Sequence, residues 1–271
     1  MADRYGVVGH PISHSKSPII HRLFATQTGQ DLSYEAFDVP PETFESGLKR
    51  LAASGVRGLN VTVPHKETAA RLMDQLTDRA HLAGAVNTVI LTEGGKLDGD
   101  NTDGVGLLTD LTVNLGITLK DARVLILGAG GATRGIAPAL LGTGPKELRI
   151  ANRTIDKARN LARAFAKLGK ISACRFDELG GKRFDLIINA TSAGLDGTVP
   201  PFPSSIIMPT TVCYDLSYAM TDTPFIAWAK ANGAKNVHQS WGMLVEQAAE
   251  AFLIWRGVRP DTKPVREKLP A

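Results

Sequence analysis

The chain has 271 residues, 43% of them hydrophobic and 21% charged, and carries a formal net charge of +4. That length holds one large domain or two modest ones around a full core. The basic residues form no run or aromatic-studded stripe, which argues against nucleic-acid binding, and no apolar run approaches the ~18 residues of a membrane span. Cys174 and Cys213 are far apart and make no Cys-x-x-Cys unit, so neither a metal site nor a disulfide framework is indicated. Asp3 and Arg4 stand ahead of a short strand, unlike a signal peptide. The expectation is a soluble cytoplasmic protein, a monomer or homodimer, that binds small molecules.

Strand and helix patterns alternate from end to end, which favours an α/β architecture with mostly parallel sheets. Tyr5–Val8 reads as a strand ending in the turn-rich Gly9–Pro18. A helix follows over Ile19–Gln27, with Ser17 as its cap and Pro18 at its first position. Tyr34–Val39 alternates like a strand, and Glu42–Ser54 is an amphipathic helix closed by Gly55. Gly58–Thr62 is the next strand, followed by a Pro64 turn and a helix from Lys66 to Leu76. Val86–Leu91 is another strand, Glu93-Gly94-Gly95 a hairpin-like turn, and Thr102–Gly104 opens a helix to about Leu115.

From Asp121 a second pattern begins. Strands are expected at Arg123–Leu127, Glu147–Ala151, Ile171–Arg175, Leu186–Asn189 and Val212–Asp215, with helices near Arg134–Leu141, Ile155–Leu168 and Pro224–Ala231. A last helix, Gly242–Arg256, puts Leu244, Val245, Ala248, Ala251, Phe252 and Trp255 on one face.

The most informative stretch is Val124–Ala132, a strand running through Gly128-Ala129-Gly130-Gly131 into a helix. That context suits a pyrophosphate, because bare backbone and a helix N-terminus meet the anion. Thr133 stands where the usual third glycine would be. About twenty residues on, Asn152-Arg153-Thr154 ends the next strand. An acidic residue there would bind a ribose 2′-hydroxyl, whereas arginine accommodates a 2′-phosphate, so Arg153 points to NADP, with Lys157 adding charge. The bland alternative is a helix start capped by Thr154 with Arg153 solvated.

Other residues invite a site reading against an equally plain structural one. Ser13 and Ser15 can donate to one carboxylate from an extended loop, but serines are common in turns. Lys66 follows a Thr62-x-Pro64 turn, yet a lysine is ordinarily surface charge. Asn87 lies in an apolar strand and needs a partner. Asp103 either joins a site or caps its helix, and Gln247 sits among apolar neighbours.

These residues closely resemble the shikimate dehydrogenase family. The match comprises Gly9–Pro18 (G-x-P-I-S-H-S-K-S-P), Asn60–Lys66 (N-V-T-x-P-x-K), Ala85–Thr88 (A-V-N-T), Asn101–Gly104 (N-T-D-G), Gly128–Ala132 (G-A-G-G-A), Asn152–Thr154 (N-R-T), Asn189–Gly194 (N-A-T-S-x-G) and Gly242–Ala248 (G-M-L-V-x-Q-A). The resemblance implies two α/β lobes around a cleft. One is a discontinuous substrate-binding domain, 1–104 plus 240–271, and the other a Rossmann-type NADP-binding domain, 105–239. It implies reversible NADP(H)-dependent interconversion of shikimate and 3-dehydroshikimate, with Lys66 and Asp103 as the catalytic pair. Ser13 and Ser15 would hold the substrate carboxylate, and Thr62, Lys66, Asn87, Asp103 and Gln247 the ring hydroxyls, with Tyr218 nearby. Cofactor contacts would come from Gly128, Ala129, Gly130, Gly131, Ala132, Asn152, Arg153, Thr154, Lys157, Thr191, Ser192, Leu216, Gly242 and Met243.

Three departures accompany the match. Gln239-Ser240-Trp241 replaces Asp-Gly-x ahead of Gly-Met-Leu, Ala219-Met220 replaces Asn-Pro after Tyr218, and Lys157 replaces an arginine of some members. A bulky Trp241 is expected to alter closure or cofactor contacts. Two other readings stay open: a broader quinate/shikimate enzyme using NAD, and a non-catalytic binding protein.

Overall fold

The computed structural model describes residues 2–92 and 94–269. Glu93 of the expected hairpin-like turn, and residues 1, 270 and 271 of the expected domain limits, lie outside the described residues. The chain forms two compact units, one from the residues up to Gly106 with Leu244–Lys268, the other Leu107–Met243.

The first unit contains β1 (Asp3–Gly9), α1 (Ser17–Thr28), β2 (Leu32–Asp38), α2 (Phe44–Ala53), β3 (Val56–Val61), α3 (Lys66–Leu72), β4 (Gln75–Leu76), α4 (Asp78–Ala83), β5 (Thr88–Leu91) and β6 (Leu97–Asp100). Its sheet has the order β2-β1-β3-β5-β6-β4. It is mostly parallel, with β1–β2, β1–β3 and β4–β6 paired that way, but β5 inserts antiparallel to both β3 and β6. The helix expected to reach Leu76 stops at Leu72, where Met73 turns extended and Gln75–Leu76 join the sheet beside β6. Lys16, not Ser17, is the N-cap residue of α1. In the core of this unit His21 stacks on Tyr34 at 4.1 Å, and burial pushes its pKa down to about 3, so the ring is a neutral packing group.

The second unit begins within α5 (Asp103–Thr109), which continues through one π turn, Asp110–Asn114. It holds β7 (Arg123–Leu127), α6 (Gly131–Gly142), β8 (Glu147–Ala151), α7 (Ile155–Ala164), β9 (Ile171–Cys174), β10 (Leu186–Asn189), β11 (Val212–Asp215), α8 (Pro224–Ala231) and β12 (Asn236–Gln239). α7 ends four residues before Leu168 because the chain turns at Phe165, which is buried. The six strands run in the order β12-β11-β10-β7-β8-β9, every pair parallel. This is the doubly wound, Rossmann-type order, with its reversal between β7 and β10.

The strand β7 shows why the sheet forms. Val124, Leu125, Ile126 and Leu127 are all fully buried. Side chains of a strand alternate between faces. Val124 and Ile126 accordingly enter a core with Ile136, Leu140 and Leu161, while Leu125 and Leu127 enter another with Phe176, Phe202 and Phe225. Each such side chain contributes about 1.5–3 kcal/mol by leaving water. Cys174 and Cys213 are buried and unlinked, with the Cys213 thiol pushed up to about 12 by burial.

The chain leaves the second unit inside α9 (Trp241–Arg256) and ends with α10 (Lys263–Lys268). In the first unit, Trp255 of α9 donates its indole N–H to the Val89 carbonyl at 3.1 Å. Glu250 of the same helix pairs with Arg79, which also grips Asp100. Among the described residues no helix is long and apolar enough to cross a membrane.

Candidate active site

In the first unit the turn after β3 delivers Lys66 as the first residue of α3. His65, just before it, hydrogen-bonds the Val39 carbonyl at 2.7 Å and stacks on Phe44 at 4.1 Å. Burial holds its pKa below the usual imidazole value, so it anchors the start of α3 as a neutral ring. Lys66 reaches from there to Asp103, the first residue of α5, with Nζ 2.6 Å from Oδ2. The side chains are only 16% and 5% exposed.

Asp103 is therefore more than a helix cap. Its Oδ1 accepts from Asn87 Nδ2 at 2.9 Å. The partners that Asn87 needs are present: Nδ2 also reaches Thr102 Oγ1 at 2.9 Å and Gln247 Oε1 at 3.3 Å, and Oδ1 accepts the Thr102 N–H at 2.8 Å. Gln247 is half-buried, and its Nε2 donates to the Leu244 carbonyl. Lys66, Asn87, Asp103 and Gln247 thus form one connected set.

Sequence reasoning assigned no role to the residues that hold this set. Asn101 is buried; its Oδ1 accepts the Asp103 N–H at 3.1 Å and its Nδ2 donates to the Ala85 carbonyl at 2.9 Å. Asp100 accepts the Asn101 N–H and is gripped at both oxygens by Arg79. Asn60 links Tyr34 to the Asn87 carbonyl. The one signal for them was Asn60, a polar residue within the largely buried strand β3 that requires a partner; Asp100 and Asn101, at and beyond the end of the polar β6, gave none.

Among the described residues no hydrogen bond joins Ser13 or Ser15 to that set, and their loop is not extended. The Ser15 N–H closes a turn onto the Ile12 carbonyl at 3.0 Å, and Ser15 Oγ accepts the Ser17 N–H at the head of α1. Both hydroxyls keep a proton to donate. Thr62 is half-buried at the end of β3.

The second unit carries the remaining expected residues. Gly128 has φ +108, and a Cβ there would come within 2.8 Å of the Ala190 carbonyl oxygen, so the protein's own packing demands glycine. Gly130 is different. It is extended, exposed, and a Cβ on it would meet no protein atom within 4 Å. That open space adjoins the first turn of α6, which has neither a side-chain cap bond nor an acidic residue. Ala129, Gly131 and Ala132 line the same turn, each half-buried. Such a cradle fits a pyrophosphate. Thr133, in place of the third glycine, is buried with Oγ1 donating to the Gly128 carbonyl at 3.0 Å, which ties the turn shut.

Arg153, Thr154 and Lys157 are exposed at the end of β8 and the start of α7. Thr154 occupies the N-cap position of α7 but makes no capping hydrogen bond, contrary to the cap reading. Asn152 Nδ2 stiffens the turn by donating to the Thr154 carbonyl at 2.9 Å. The donors at this edge suit the extra phosphate of NADP. Beyond β10, Thr191 bonds Asn189 through Oγ1 while Ser192 is exposed; beyond β11, Leu216 is half-buried. Met243 is buried, and a side chain on Gly242 would overlap the carboxylate of Asp110. Asp110 itself accepts from the Tyr214 hydroxyl at 2.6 Å, and burial raises the Tyr214 pKa well above its usual value. Glycine at 242 therefore answers a demand of the protein's own packing.

Three family models match in order along the chain: the shikimate dehydrogenase substrate binding domain over 7–89, shikimate / quinate 5-dehydrogenase over 111–195, and the shikimate 5′-dehydrogenase C-terminal domain over 241–269. The chain belongs to the shikimate dehydrogenase family. It is 56% identical to the shikimate dehydrogenase (NADP(+)) of Alkalilimnicola ehrlichii over 98% of this chain and 97% of that one. Among solved structures, an Ael1 enzyme from Pseudomonas putida superposes with a TM-score of 0.91 at 42% identity, covering 100% of this chain and 99% of that one. The shikimate 5-dehydrogenase of Thermus thermophilus, in complex with NADP(H) and shikimate, does so at 0.86 and 38%, covering 98% and 97%.

Proposed function

We propose that this member of the shikimate dehydrogenase family interconverts shikimate and 3-dehydroshikimate with NADP(H), a step of aromatic amino-acid biosynthesis by the shikimate pathway. The observation that carries the reading is the 2.6 Å Lys66–Asp103 pair backed by Asn87. Oxidising an alcohol requires an acceptor for the hydroxyl proton, and reducing the ketone requires a donor. Lys66 Nζ holds and moves that proton at the substrate oxygen, while the Asp103 carboxylate fixes Nζ and balances its charge. Asn87, Gln247 and Thr62 orient the ring hydroxyls, Ser13 and Ser15 donate to the carboxylate, and Tyr218 contributes from the β11 end.

When bound, NADP supplies the hydride acceptor and NADPH the hydride donor. The Gly128–Ala132 turn would hold its pyrophosphate, and Asn152, Arg153, Thr154 and Lys157 its 2′-phosphate. Thr191, Ser192, Leu216, Gly242 and Met243 would hold its nicotinamide side. The substrate role falls to the unit built on β1–β6 and the NADP role to the unit built on β7–β12. We read the enzyme as cytoplasmic, and as a monomer or homodimer.

The test follows NADPH or NADH absorbance with shikimate and quinate, each offered NADP and NAD. Reduction of NADP by shikimate, far faster than any other pairing, is the expected result. Comparable rates with quinate or NAD would move the protein to the broader-specificity reading. No turnover from folded protein would leave a binding protein.

A further inference from the structure

The segment linking β12 to α9 grips the loop after β11 with three consecutive side chains. Gln239 Oε1 accepts the Ala219 N–H at 2.6 Å, and its Nε2 donates to the Thr221 carbonyl at 2.8 Å. Ser240, buried, donates Oγ–H to the Leu216 carbonyl at 2.8 Å. Trp241 lays its ring against that of Tyr218, with centroids 4.6 Å apart and planes at 48°. The loop is also tied from its other side. Asp215 accepts the Ser217 N–H at 3.0 Å and the Thr223 hydroxyl, so residues 217 and 223 are pinned to one buried carboxylate.

Surface loops between a strand and a helix ordinarily move. This one has its backbone held at 216, 217, 219 and 221, and its one aromatic side chain is packed. The glycine turn after β7 and Arg153 after β8 mark the first mononucleotide half of the sheet, so β10–β12 form the half that faces the nicotinamide. Ligands of such sheets lie beyond the carboxyl ends of the strands, where the 216–223 loop and the 239–241 segment both stand. The two stretches that depart from the family pattern, 219–220 and 239–241, are the two sides of this one contact.

The structure assigns to Gln239 and Trp241 the role of positioning residues for shikimate: they clamp the 216–221 loop so that Tyr218 is pre-set for the substrate. The assignment rests on the proposed dehydrogenase reading and on the place of Tyr218 in it. Neither residue touches the reacting atoms, and their effect passes through Tyr218 and its backbone. Ordering this loop before binding removes an entropic cost from substrate capture.

The experiment compares Trp241→Ala, Trp241→Phe and Gln239→Ala with the unaltered enzyme. An aromatic contact of this kind sets the scale, so Trp241→Ala should raise the KM for shikimate roughly 3- to 10-fold. The KM for NADP should change less than about 2-fold, and Trp241→Phe should restore most of the loss. Gln239→Ala should move the same constant in the same direction. A fall in kcat with both KM values unchanged, or an equal rise in both, would overturn the assignment.

A second measurement needs no turnover. With 5-fluorotryptophan in place of tryptophan, the 19F resonance missing from Trp241→Phe identifies Trp241 among the three tryptophans. Shikimate added with NADPH, a pair that cannot react with each other, should shift that resonance. NADPH alone should shift it less. An unmoved Trp241 resonance in an enzyme that oxidises shikimate would sink the clamp while leaving the dehydrogenase reading intact. Absence of shikimate oxidation by the unaltered protein would instead remove that reading.

Discussion

In the unit built on β1–β6 the candidate reactive groups are held by other side chains, whereas in the unit built on β7–β12 the anion cradle is largely backbone. Lys66 is fixed by Asp103, Asp103 by Asn87 and Asn101, and Asn101 follows an Asp100 gripped by Arg79. The Gly128–Ala132 turn instead presents helix N–H groups and an empty space at Gly130, with exposed Arg153 and Lys157 at the next strand end. The difference follows the chemistry required. A proton donor must be placed to within a few tenths of an ångström and shielded, which calls for a connected, buried polar network. A phosphate is recognised by charge and open backbone, which tolerates solvent.

The comparison is broken most severely by Lys66→Ala. Turnover should fall roughly 10²–10⁴-fold with the fold retained by circular dichroism; near-normal turnover would show that the buried pair is structural. Next in size is Arg153→Ala, which should raise the KM for NADP roughly 10-fold or more, on the scale of hydrogen bonds to a charged group, and leave that for shikimate unchanged. Equal changes in both constants would make Arg153 a structural residue.

The glycines sharpen the comparison at the smallest scale. Gly130→Ala adds a methyl group that meets no protein atom at an extended backbone position. It should leave the melting temperature unchanged or slightly raised, since such a replacement stabilises by about 0.4–1 kcal/mol, while weakening NADP binding in calorimetry. Gly128→Ala should lower the melting temperature, because φ +108 and the Ala190 carbonyl both oppose a Cβ. Normal NADP affinity in Gly130→Ala would mean the open space holds no phosphate.

Much of the second unit was legible from the sequence. Arg123–Leu127, Glu147–Ala151, Leu186–Asn189 and Val212–Asp215 coincide with β7, β8, β10 and β11. β7, β10 and β11 are near-continuous apolar runs, as strands covered on both faces of a parallel sheet are, while β8 alternates Leu148 and Ile150 with Glu147 and Arg149, and both patterns stand out. The first unit was less legible. The two-residue β4, with Gln75 exposed and Leu76 half-buried, carries no period to detect. Although the pairing of β5 with β6 agrees with the expected hairpin-like turn, its pairing with β3 joins residues far apart in sequence. β12 escaped for the same reason: Asn236–Gln239 is polar and half-exposed, and only its parallel pairing with β11 makes it a strand.

The sequence by itself determined the chemistry on offer: a glycine turn after an apolar strand, a cation at the end of the next, and Lys66, Asn87 and Asp103 in polar motifs within apolar surroundings. Those features are local, because turn geometry and strand period depend on neighbouring residues. Tertiary structure decided which of them meet. Asp103 could have been a plain helix cap until α3 placed Lys66 Nζ against it. Trp241 and Tyr218, twenty-three positions apart in sequence, became a contact only when β11 and β12 paired. Such encounters depend on the packing of whole elements, and no local pattern encodes them.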